Sequence, residues 1–177
     1  TRKPQRPNYS LENFGEPFQV ECENLMSGIL QFAGGTIGNI LFDSNSIFIL
    51  PEKPSLVLFG TMGIMTMADP NQFGGEVKVI LKGNNEPFTM QQSHAFTDEC
   101  RGLGMADMAW AMRTGRKNRA SKEMAYHALE VLHGIVKSSD TRSNQVIQST
   151  FEKTPPIPRG YSGQTFFEFV EEIGIAQ

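Results

Sequence analysis

The sequence contains no apolar run long enough to span a bilayer, and its opening lacks the basic-then-apolar pattern of a secretory signal. Positive charge is not in excess: 16 Lys and Arg stand against 19 Asp and Glu, a formal net charge of −3. That balance argues against nucleic acid as a partner, because phosphate binding calls for a basic surface. Cysteine is scarce. Cys22 and Cys100 have neither metal-type nor redox-type spacing and read as free thiols, so a reducing, cytoplasmic setting is expected. Asn8-Tyr9-Ser10 satisfies the glycosylation pattern, but nothing else points to secretion and it is discounted.

What is present suits a folded domain. The chain has 177 residues, of which 39% are hydrophobic and 20% charged, enough for one real core. Residues 1–15 are polar and proline-containing and read as a linker remnant, so the chain is expected to be one domain of a larger protein. Residues 16–150 are expected to form an α+β domain, followed by a tail over 151–177. From Pro17 to about Leu81 the punctuation is that of β structure. Met26, Gly28, Leu30 and Phe32 fall on one strand face, Gly34-Gly35 supplies a two-residue turn, and Gly38, Ile40 and Phe42 return. A second hairpin turns around Gly60 to Gly63, and Val77, Val79 and Leu81 alternate on a later strand. The expected fold class is therefore α+β, a mostly antiparallel open sheet with helices packed on one face. Leu25, Ile29, Ile37 and Leu41 make the opposite strand face apolar too, and a second copy of the chain is the first candidate to cover it.

The second half is helical. Arg101 to Thr114 ends at Gly115, a residue suited to a C-terminal cap. Leu103, Ala106 and Trp110 lie opposite Met105, Met108 and Met112, so cover on two sides is expected, and the methionines read as packing residues. After Ser121, an N-cap residue, a helix runs to about Lys137, with Met124, Ala128, Val131, Leu132 and Ile135 on one stripe. Burying its four larger members, at about 1.5–3 kcal/mol each, would make it a core element. The run Thr154-Pro155-Pro156-Ile157-Pro158 cannot continue a helix, and Phe166 to Ile173 is expected to form a last short one.

Motifs that carry chemistry are thin. Gly102-Leu103-Gly104-Met105-Ala106-Asp107 begins like a dinucleotide fingerprint, but Asp107 stands where the third small residue belongs and no strand leads into it. It reads as a helix start. Lys53, in Glu52-Lys53-Pro54, lies between short β segments and reads as an exposed turn. His127 flanks the apolar stripe, His133 faces away from it, and His94 sits in a polar loop; the first reads as a satisfied boundary histidine. No catalytic, cofactor-binding or metal-binding set is assigned, and substrate-binding residues stay unknown.

Three stretches in order resemble the C-terminal domain of the Gfo/Idh/MocA family of oxidoreductases, the glucose–fructose oxidoreductase and inositol dehydrogenase group. They are Phe32-Ala33-Gly34-Gly35-Thr36-Ile37-Gly38; then Leu56 to Gly63 with Asp69 to Gly75; then Arg101 to Ala109, Gly115 to Ser121 and Tyr126 to Val131. The resemblance implies a parent with a Rossmann domain binding NAD or NADP, joined to this substrate-side and oligomerisation domain. It also implies sugar or polyol substrates and a homo-oligomer formed through the sheet. The family's glycine-rich fingerprint, Glu-Lys-Pro and Asp-x-x-x-His motifs would precede Thr1, so no catalytic role passes to Lys53, His94 or His127. The alternative is a non-catalytic binding or dimerisation module.

Overall fold

The computed structural model describes residues 5–7, 15, 17–44, 55–71, 73–92, 96–97 and 101–157. The chain is α+β with antiparallel strands. It divides into two compact units, one of residues 1–49 and 122–152, the other of 50–121 and 153–177.

In the first unit, β1 (Gln5–Pro7) pairs with β2 (Pro17–Gln19), so the stretch read as a linker contributes a short strand. Strands β3 (Leu25–Gln31) and β4 (Ile37–Asp43) form an antiparallel hairpin in which Ser27 opposes Leu41, Gly28 opposes Ile40 and Ile29 opposes Asn39. The expected two-residue turn is instead a three-residue loop, Ala33 to Gly35. Phe32 N–H bonds to the Thr36 carbonyl at 2.9 Å, Gly35 N–H bonds back to the Phe32 carbonyl at 2.9 Å, and Gly35 alone of the two glycines takes a positive φ, 85°. A type I turn closed by one left-handed residue needs glycine only at the end, which is why Gly34 is spared.

The long helix of this unit, Lys122–Thr141, follows Ser121 directly and extends one turn past the expected end. It packs on β3. A Cβ placed on Gly28 would lie 3.2 Å from Ile135, so the absent side chain is what lets helix and strand approach. None of the helix's residues is fully buried, short of the core role expected for its stripe. The hairpin is two strands wide, spans about 5 Å between strands, and can cover only part of a helical face. The segment after the helix then folds back along it, with Ile147 against Gly134.

The second unit holds a four-stranded antiparallel sheet in sequential order: β5 (Leu56–Gly60), β6 (Gly63–Met67), β7 (Val77–Leu81) and β8 (Phe88–Thr89). Register aligns Leu58, Met65, Val79 and Phe88 abreast across all four strands, so one face is an unbroken apolar band. The helix of this unit, Leu103–Thr114, ends on Gly115 at φ 65°, and the Arg116 N–H returns to the Ala111 carbonyl at 3.1 Å. This six-to-one bond closes the last turn as a Schellman motif does. In chain order the helices are α1 (Leu103–Thr114) and α2 (Lys122–Thr141).

Gly63 and Gly34 should respond in opposite ways to alanine. At Gly63 φ is 154° and a Cβ would meet the Ile80 carbonyl oxygen at 2.1 Å, whereas at Gly34 it would meet nothing within 4 Å. Gly63→Ala should cost at least about 1–3 kcal/mol in denaturant unfolding through backbone strain alone. Gly34→Ala should leave stability unchanged or raise it by about 0.4–1 kcal/mol.

Candidate functional site

Two carboxylates organise the irregular chain around the helices. The first is Asp107, one of the few residues of α1 taken out of water. Its Oδ1 accepts from Arg116 Nη2 at 2.6 Å and from the Arg119 guanidinium, and its Oδ2 accepts the Arg119 backbone N–H at 2.8 Å. Arg116 Nη2 also reaches the Asp107 carbonyl at 3.2 Å. Burial pushes the Asp107 carboxyl up, but the bonds from Arg116 and Arg119 outweigh it and hold the group below the usual aspartate range. The chain of contacts continues outward. Arg119 Nε donates to the Pro155 carbonyl at 3.1 Å, and the Thr154 hydroxyl donates to the Arg119 carbonyl at 3.0 Å.

The second carboxylate is Glu130 on α2. Its two oxygens accept the consecutive backbone N–H groups of Gln148 and Ser149 at 2.9 and 2.8 Å. His127, one turn earlier, places Nδ1 2.9 Å from the Ser149 carbonyl and 3.0 Å from the Ser149 hydroxyl, with its ring 5.3 Å from that of Phe151. The hydrogen bond from the Ser149 hydroxyl, followed by the two backbone N–H bonds, lowers the Glu130 carboxyl. A serine, a histidine and a carboxylate thus meet, but not in the order of a nucleophile and its base. A carbonyl oxygen only accepts, so Nδ1 carries the hydrogen and has no lone pair with which to take the serine proton. The arrangement is a clamp that fastens residues 147–151 along α2.

The other sequence candidates fall as follows. Glu52-Lys53-Pro54, His94, Cys100 and Phe166 to Ile173 lie outside the described residues. Cys22 is exposed with a free thiol, and His133 is exposed. Gly102 precedes α1 at φ −75°, a conformation open to any residue, and among the described residues the last strand before it, β8, ends at Thr89. Asp107, at the end of that motif, faces its own arginines. The described residues therefore do not fit a dinucleotide cradle, which needs a strand running straight into a glycine turn at a helix start. Among the described residues no group of three His, Cys, Asp or Glu side chains could hold a metal, and no helix is long and apolar enough to cross a membrane. No family model, no curated protein and no solved structure matches the chain.

Sequence reading missed both carboxylates. The available signal was a lone acid in an otherwise apolar helical run, Gly104 to Met112 around Asp107 and Ala128 to Leu132 around Glu130. Such an acid lies beside the helix's packing surface and must find donors.

Asp107→Asn keeps the shape and removes the charge that both arginines neutralise. Loss of these charge-assisted bonds should lower stability by about 1.5–3 kcal/mol in chemical denaturation. Because the folded-state carboxyl is lowered, the contribution is present above about pH 4 and fades as pH falls through the lower folded value, so the wild type and variant should converge in acid. For Glu130, the backbone amide shifts of Gln148 and Ser149, followed by NMR, should titrate below the ordinary glutamate range. Glu130→Gln should remove that titration.

Proposed function

We propose that this chain is the substrate-side and oligomerisation domain of an NAD(P)-dependent oxidoreductase acting on sugars, polyols or related compounds. It works through its apolar strand faces and is inactive without a dinucleotide-binding partner domain. The observation that carries the oligomerisation half is the outer face of the β3–β4 hairpin, where Ile29, Ile37 and Leu41 are 76%, 72% and 68% exposed. Monomers rarely leave contiguous apolar patches open to water. Ser27, Gln31 and Asn39 share this face and Asp43 is its one charge, at the rim, so two copies can meet about a two-fold axis without burying a charge at the centre.

What supports the substrate-side half is the order of the resembling stretches. The 32–38 stretch makes the β3–β4 loop, Leu56 to Gly63 makes the β5–β6 hairpin, and the Arg101 to Ser121 stretch is the part of the chain closed by Asp107. NAD or NADP would be held by residues outside those described. The runner-up, a non-catalytic dimerisation module, shares the apolar face and lacks the small-molecule site.

Sedimentation of the chain at micromolar concentration should give a dimer or larger assembly, and Ile29→Lys with Leu41→Lys should give a folded monomer. A monomeric wild type would sink the oligomerisation reading. NADH titration should show no saturable binding to the chain. Sugar or polyol titration followed by amide NMR then separates the two readings: specific shifts support the substrate-side domain, and none in an intact oligomer favours the dimerisation module.

A further inference from the structure

Two flanks of α2 are engaged within its own unit. Ile135 sits over Gly28 of β3, and to one side of it His127, Glu130 and Gly134 hold the returning segment. The opposite side is open. About a quarter turn from Ile135, at about 100° per residue, lie Ala125, Leu129, Leu132 and Val136. Their spacing of four, three and four residues is that of a helix-pairing seam. Leu129 is 51% and Leu132 40% exposed, Ala125 is exposed and Val136 half-buried. One charge closes each end of the seam, Lys122 at the first residue of the helix and Asp140 in its last turn. Lys122 is 93% exposed, and its contact with Glu123 is long, 3.9 Å. Both charges have the wrong sign for their own helix, whose dipole favours anions at the N-terminal end and cations at the C-terminal end.

We propose that this flank of α2 pairs antiparallel with the same flank of a second copy of the chain. An antiparallel neighbour corrects both misplaced charges: Lys122 of one copy meets the negative helix end of the other, with its Asp140, and the reverse holds at the far end. About a two-fold axis Leu129 packs beside Leu132 of the other copy and Ala125 beside its Val136, which makes four layers with the larger groups at the centre. In that register Lys122 lies opposite position 139, one residue, or about 1.5 Å of rise, from Asp140. Parallel pairing would set Lys122 against Lys122 and Asp140 against Asp140, so charge selects the antiparallel arrangement. This interface is separate from the outer face of the β3–β4 hairpin and rests on the oligomerisation reading for the rest of the assembly. One four-layer contact is too small to hold isolated copies together at micromolar concentration. Two dimers joined through their hairpins offer two such contacts at once, and the second forms at the effective concentration set by the first. The flank stands at about a right angle to the outer hairpin face, because that face points away from α2 along the line from Ile135 to Gly28. Two-fold axes at right angles can cross, and the assembly then closes as a tetramer.

Sedimentation of the chain at micromolar concentration should give a tetramer. Leu129→Lys with Leu132→Lys should reduce it to a dimer, with helix content unchanged by circular dichroism. Lys122→Asp separates pairing from folding. It suits the dipole of its own helix and so should not lower stability, yet it should weaken the tetramer by roughly tenfold through loss of the Lys122–Asp140 pairs. Adding Asp140→Lys reverses each pair rather than removing it and should restore the tetramer. If the leucine variant loses helix content, the charge variants alone decide. A dimer in the unaltered chain overturns this pairing and leaves the hairpin reading in place, whereas a monomer overturns both. A tetramer indifferent to the leucine substitutions in a folded variant, or one that Asp140→Lys fails to restore, also overturns it.

Discussion

A carboxylate withdrawn from water must be surrounded by donors, and the path of the chain around α1 follows from how Asp107 meets that demand. One oxygen takes two guanidinium groups and the other a backbone N–H. The loop from Gly115 to Ser121 is thereby folded back along α1 as far as Asp107. Because Arg119 is held at both its backbone and its side chain, its remaining donors are aimed at the carbonyls of the proline-rich segment, whose prolines have no N–H to offer a ladder. Remove the carboxylate and the arginines become like charges close together.

Glu130 solves the same problem by a different route. It has no arginine and takes its donors from two successive backbone amides, while His127 secures the next carbonyl. In both cases a single acid on a helix organises a returning segment that lacks secondary structure. Helix stripes and strand alternation account for where α1 and α2 run; these acids account for what is fastened to them.

The apolar residues tell a complementary story. Val20 and Ala111 are the buried apolar side chains among the described residues, while Ile29, Ile37, Leu41 and the α1 methionines stay exposed. Burying such groups would be worth about 25 cal/mol per Å². A hairpin face without central charge suits self-association.

Composition and spacing by themselves determined that the chain is α+β and that its strands pair as antiparallel hairpins. They also determined that two helices follow, near 101–114 and from 122, because alternation, helical spacing and glycine caps are local rules. The same pattern placed apolar residues on both faces of β3 and β4. Tertiary structure alone decided the loop of three residues at Ala33 to Gly35, and the approach of Ile135 over Gly28. It also decided the pairing of Asp107 with Arg116 and Arg119, and that of Glu130 with the amides of Gln148 and Ser149. Those partners are 9 to 19 residues apart along the chain, and no local preference states which donor a lone acid will find. Only the path of the backbone between them brings the charges together.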